Sequence, residues 1–123
     1  MIALIMLRPG QLRDGLNALL SAMPEIRLIA QAEDTDAALR FLARQCAELV
    51  LIKLDAGDRR LLGPVLEMRA LCPDAKVVAL IEDERDRQVA ETSGTDLVMM
   101  VGVPAPILRA RLGALVRSTL EVA

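Results

Sequence analysis

Lys53 and Asp55 end the apolar run AELVLIKLD, and Glu82 and Asp83 end a second one, VVALIED; these four charged groups are the ones whose spacing can bring chemistry to one place. Residues two apart on a strand share a face, so Lys53 and Asp55 point the same way, toward where Glu82 and Asp83 emerge. A lysine set among hydrocarbon such as Met6, Leu7 and Ile81 must bury its stem and send its ammonium to water or to a carboxylate. An unpaired charge indoors costs several kcal/mol. Lys53 is therefore expected to pair with Asp55, Glu82 or Asp83. A sharper alternative, a desolvated lysine nucleophile of the Schiff-base kind, needs a depressed pKa and an assisting group. No second lysine, histidine or tyrosine is evident for that purpose. Asp55 by itself reads as a turn acid ahead of Ala56 and Gly57.

Other chemistries lack their parts. Cys46 and Cys72 have no CxxC spacing and the chain has no histidine, so no zinc set exists and no metal is expected; both cysteines read as free thiols at helix ends. After the first apolar run only Arg8, Pro9 and Gly10 follow, which is neither GxGxxG nor a P-loop, and Phe41 alone cannot provide the stacking of a flavin site. No cofactor and no enzymatic activity are expected. Fifteen basic against 17 acidic residues leave a net charge of -2, which offers no field for a phosphate backbone. The longest apolar stretch, Leu97 to Leu108, carries two prolines and is far short of a span, and no basic n-region opens the chain. Neither nucleic acid nor membrane is an expected partner, and a cytoplasmic location follows as the expectation.

The elements that would hold these residues are readable from hydrophobic period. Apolar residues make up 54% of 123 and aromatics 1%, so the core is aliphatic and one domain accounts for the chain. Five apolar runs, Ile2 to Leu7, Arg27 to Gln31, Leu49 to Leu54, Lys76 to Ile81 and Leu97 to Val101, read as strands buried on both faces. Between them, Leu12, Leu16, Leu19, Leu20 and Met23 form the stripe of a first helix. Asp34 or Thr35 caps a second, which buries Ala38, Phe41 and Leu42 and ends before Glu48. A third starts near Leu62 with Pro64 in its first turn and turns Val65, Met68 and Leu71 inward. A fourth spans Glu84 to Thr92 and stops at Gly94, and a fifth begins near Pro104 and buries Ile107, Leu108, Leu112 and Leu115. The domain is expected over residues 1–118, with 119–123 as a tail.

Strict alternation of strand and helix, with right-handed crossovers, predicts an α/β fold: a doubly wound five-stranded parallel sheet of order 2-1-3-4-5 in a flavodoxin-like three-layer sandwich. Ligands of such sheets bind outside the carboxyl ends of the strands, at the switch point beside strands 1 and 3. The residues ending those strands therefore decide the chemistry.

The segment PGQLRDGLNALLSAMPEIRLIAQAEDTDAALRFL, followed by AELVLIKL, LCPDAKVVAL and SGTDLVMMVGVPAPIL, resembles the receiver domains of response regulators, CheY-like and in particular NarL-type receivers. The resemblance covers nearly the whole chain, with a contraction around helix 4, and rests on pattern and spacing. It implies an acidic pair for Mg²⁺ at the end of strand 1, where this chain has Met6 and Leu7. It implies a phosphoryl-accepting aspartate at the end of strand 3, where Lys53 stands. The hydroxyl of strand 4 corresponds to Ile81, the lysine of strand 5 to Val101, and the aromatic switch residue to Val98. Thioether and hydrocarbon give a hard dication no oxygen, and an ammonium forms no acyl phosphate, so Mg²⁺ binding and phosphorylation are not expected.

The sequence thus predicts a degenerate pseudo-receiver in bacterial two-component signalling, acting through a protein partner or its own dimer. The resemblance points to helix 4, strand 5 and helix 5 as the contact face, with Arg85, Arg87, Glu91, Arg109 and Arg111 as the charged set. A flavodoxin-like small-molecule or nucleotide binder is one alternative. The receiver portion of a NarL-type transcriptional regulator, without its DNA-binding domain, is another.

Overall fold

Val, Ile and Leu crowd the central apolar runs, and their branched side chains fill a sheet covered on both sides. The computed structural model describes residues 1–54 and 62–121. Its elements are β1 (Ile2–Met6), α1 (Gln11–Ser21), β2 (Leu28–Ala32), α2 (Thr35–Arg44), β3 (Leu49–Leu54), α3 (Leu62–Leu71), β4 (Lys76–Ile81), a 3-10 turn (Glu84–Asp86), α4 (Arg87–Thr92), β5 (Leu97–Met100) and α5 (Ala105–Glu121). The strands form one parallel sheet in the order β2-β1-β3-β4-β5, the predicted architecture. Met6 lies opposite Ala32 and Ile52, and Leu54 opposite Ile81.

Alternation along the strands divides the interior in two. Leu4, Met6, Val50, Ile52, Leu54, Val77, Ala79 and Ile81 pack with Ala38 and Leu42 of α2, Val65 and Met68 of α3 and Ala90 of α4. Ala3, Ile5, Leu7, Leu49, Leu51, Val78 and Leu80 face Leu16 and Leu20 of α1 and Leu112 and Val116 of α5. Each large aliphatic side chain buried this way contributes about 1.5–3 kcal/mol. At the amino end of the sheet, Asp96 accepts the Val77 amide at 2.8 Å and the Arg69 guanidinium at 2.7 Å. Glu48 there accepts the Ile2 amide at 2.6 Å. These bonds tie the strand starts together and leave the carboxyl edge to the site residues.

Several local expectations are corrected. β2 begins at Leu28 and is an edge strand, so it is not buried on both faces: Leu28 is 48% exposed and Gln31 is exposed too. β1 ends at Met6, although the Leu7 amide still donates to Ala32 at 3.0 Å. In α3 the inward stripe runs Val65, Met68, Cys72 at helical spacing, which leaves Leu71 42% exposed. In α5 the stripe is Leu108, Leu112, Val116, and Ile107, one residue off it, is 46% exposed. The expected fourth helix divides at Asp86 into the 3-10 turn and α4, and the chain leaves α4 through Gly94 at φ +87°, a conformation that favours glycine. Residues 119–121 continue α5 and do not form a separate tail.

The cysteines are not free: Cys46 and Cys72 are joined in a disulfide, with Cα atoms 5.5 Å apart. The cause is architectural. α2 and α3 lie on the same face of the sheet, and the residues just beyond their last turns meet, although 26 positions separate them in the chain.

Candidate functional site

The carboxyl edge of the sheet gathers the residues singled out from the sequence. Lys53 lies opposite Leu80 in the β3–β4 register, and its side chain follows Leu49 and Leu51 onto the α1/α5 face. Glu82 comes two residues after Leu80 and so falls on the same side. Lys53 Nζ lies 2.6 Å from Glu82 Oε1, with the two side chains 26% and 60% exposed. Asp83 is corrected as a partner for Lys53: one residue further on, it turns away and caps the 3-10 turn. Its Oδ1 accepts the Arg85 amide at 2.9 Å, and its Oδ2 pairs with Arg85 Nη2 at 2.8 Å. Hydrogen bonding to the Arg85 guanidinium holds the Asp83 carboxyl below its usual value. Asp55 lies outside the described residues.

The remaining positions are hydrocarbon or thioether. Met6 and Leu7 are buried on opposite faces of the sheet, each in its own cluster. Ile81 and Val98 are buried together on the α2/α3/α4 face; Val101 is half-buried, and its amide donates to the Ile81 carbonyl at 2.7 Å. A cleft of about 520 Å³ opens beside them, lined among others by Met6, Leu7, Gly10, Glu33, Asp34 and Lys53. Asp34 Oδ1 is engaged there as the α2 cap, accepting the Ala37 amide at 2.8 Å. Among the described residues no cluster of His, Cys, Asp and Glu could hold a metal ion. The donors at the ends of β1 and β3, a thioether and an ammonium, do not fit the Mg²⁺ of a phosphorylating receiver.

Because Glu82 is largely exposed, the Lys53–Glu82 pair is screened by water and adds little stability. Lys53→Met is expected to change the unfolding free energy by no more than about 1 kcal/mol in urea titrations. A loss several times larger would show that the ion pair organises the edge.

The charged set on the α4–α5 side is in part already matched. Arg85 is paired with Asp83, and Arg87 Nε donates to Glu84 Oε2 at 2.7 Å. The Arg87 guanidinium holds the Glu84 carboxyl below its usual value, chiefly through that hydrogen bond. The i,i+3 spacing of Glu84 and Arg87 is a sequence signal that could have found this pair. Glu91, Arg109 and Arg111 are exposed. Arg109 lines a groove of about 800 Å³ between α1 and α5, with Gly15, Ala18, Ala22 and Gly113 among its walls. Small residues on the outer side of two helices carry no hydrophobic period, so the groove has no sequence signature.

No protein-family model matches the chain, and no curated protein matches it. Solved structures do. A response regulator receiver domain protein (CheY-like) from Methanospirillum hungatei JF-1 superposes with a TM-score of 0.81 at 14% identity, covering 99% of this chain and 98% of that one. A LuxR family DNA-binding response regulator from Silicibacter pomeroyi gives 0.79 at 19% identity, over 96% and 93% of the two chains. The pilus assembly protein CpaE from Caulobacter crescentus CB15 gives 0.70 at 21% identity, over 93% and 97%. With the strand order and the helix layers, these likenesses establish that the chain has the CheY-like receiver fold.

Proposed function

We propose that this receiver-type domain serves signalling as a phosphorylation-independent pseudo-receiver, acting through contacts with a protein partner or a second copy of itself. The observation that carries the reading is the Lys53–Glu82 ion pair at the end of β3. It stands where a receiver would need a carboxylate, and the ends of β1 and β4 beside it offer no oxygen from Met6, Leu7 or Ile81. The domain would work in the cytoplasm, without nucleic acid, membrane or Mg²⁺, and without catalysis. No helix among the described residues is long and apolar enough to cross a membrane.

The contact surface in this reading is the α4–β5–α5 side. Arg85 and Arg87 are occupied within their own turn, so Glu91 and Arg111 are the groups left there to select a partner, with Arg109 extending the surface toward the α1–α5 groove. Incubation with acetyl phosphate and Mg²⁺ is expected to leave the intact mass unchanged, for the parent and for Lys53→Asp alike. One added carboxylate does not rebuild a site whose other positions are hydrocarbon. A stable phosphoryl adduct, at Asp55 or any other acid, would end the proposal. Reversing the charges of Arg109 and Arg111 is expected to weaken self-association or partner capture, read by light scattering and pull-down.

A narrower version places the domain in an assembly machine, and the likeness to a pilus assembly protein favours it. Retention of the chain by such a complex in co-purification would support it. Stoichiometric binding of a nucleotide or flavin in the cleft would favour the small-molecule alternative instead.

A further inference from the structure

We propose that Cys46 and Cys72 form a reversible thiol–disulfide site, opened by a small thiol of the glutathione class at Cys46 and closed again by the corresponding small disulfide. The two sulfurs are unequal. Cys46 is exposed in the α2–β3 connection, whereas Cys72 is 2% exposed beneath it, within the cluster of the α2/α3/α4 face. Access decides which sulfur of a disulfide is attacked, so the incoming thiolate reaches Cys46.

The surroundings suit both oxidation states. Cys46 Sγ lies 3.4 Å from the Leu71 carbonyl oxygen, and Cys72 Sγ lies 3.7 Å from that of Leu42. A disulfide sulfur has no hydrogen to donate, so in the oxidised chain these oxygens only flank the bridge. On reduction the sulfurs separate to van der Waals contact, and these carbonyl oxygens are the nearby acceptors for the two S–H groups. The fold also has support beyond the bridge: aliphatic clusters fill both faces of the sheet, unlike the small secreted domains that depend on disulfides.

The chemistry balances as ordinary exchange. A thiolate RS⁻ attacks Cys46 Sγ, the Cys46–Cys72 bond breaks, and its electron pair leaves on Cys72, which takes a proton. A second RS⁻ attacks the R sulfur of the mixed disulfide, forming RSSR and freeing Cys46 as a thiolate that is then protonated. Two RSH supply the two electrons and two protons, and RSSR reverses both steps. Uncatalysed, such exchange takes minutes to hours.

The test uses the full chain equilibrated in glutathione buffers of graded ratio, quenched with a maleimide and read by intact mass, with far-ultraviolet circular dichroism on the same samples. The expected result is a reversible shift between no labels and two, with the helical spectrum kept throughout. In Cys72→Ser, glutathione disulfide should form a mixed disulfide at Cys46, and in Cys46→Ser the buried Cys72 should form it far more slowly. Loss of the spectrum together with the bridge would make it a structural staple and overturn the proposal. So would two labels at every ratio, or faster adduct formation at Cys72; the parent titration decides even if a variant fails to fold.

Discussion

Met6→Asp is expected to lower the unfolding free energy by about 3 kcal/mol or more at neutral pH, and so to damage the domain without creating a metal site. Met6 lies beside Ala32 and Ile52 in the sheet and belongs to the apolar cluster that also holds Leu54. Lys53 lines the same cleft as Met6 but is already paired with Glu82. Burial would raise the folded-state pKa of the new acid above its unfolded value near 4. The folded form then binds more protons, so stability falls as pH rises from the unfolded pKa through the folded one, and the penalty shrinks toward pH 4. Urea titrations at pH 7 and near pH 4 check both the size and the sign. Parent-like stability at pH 7 would mean that the end of β1 is open enough to accept an acid.

The second large effect concerns the bridge between α2 and α3. Reducing it, or replacing Cys46 by serine, is expected to cost about 3.5 kcal/mol, because the unfolded chain regains the loop entropy that the 26-residue separation had removed. For a domain of this size that corresponds to a melting point lower by roughly 10–15 °C. The remainder of a typical stability of about 5–15 kcal/mol keeps the reduced chain folded at room temperature, in line with the retained spectrum expected above. Melting curves with and without a dithiol measure the difference. A shift of only a degree or two would mean that the bridge does not constrain the unfolded chain.

The sheet was legible because β1 is an unbroken apolar run and β3 and β4 are apolar apart from one lysine each near an end, Lys53 and Lys76, a pattern that a strand covered on both faces demands. β2 met the same criterion of composition. As an edge strand it has a single neighbour, and a run of letters does not reveal which strand ends a sheet. Helix phase failed by single residues. Leu71 is more hydrophobic than Cys72 and Ile107 stands beside Leu108, yet angular position about the axis, set by where each helix starts, decides which is buried. The disulfide was missed for another reason: it depends on α2 and α3 sharing a face, a fact of tertiary structure.

At the site, composition alone predicted that Lys53 would seek an acid. The choice of Glu82 over Asp83 followed from strand parity continuing one residue past β4, while Asp83 was taken by the turn it caps. A short acid directly before a turn is a good cap, and that preference was available in the letters E-D-E-R.

The Lys53–Glu82 couple is electrically neutral as a unit, one plus sign against one minus, at the mouth of the sheet. A phosphorylated receiver changes state because new negative charge arrives at that mouth and tilts the balance between conformers. A self-cancelling doublet delivers no such impulse. On the reading proposed above, whatever tips this domain from one conformer to another would draw its energy from preferential docking elsewhere on the surface, with a strength set by the difference in affinity for the two forms.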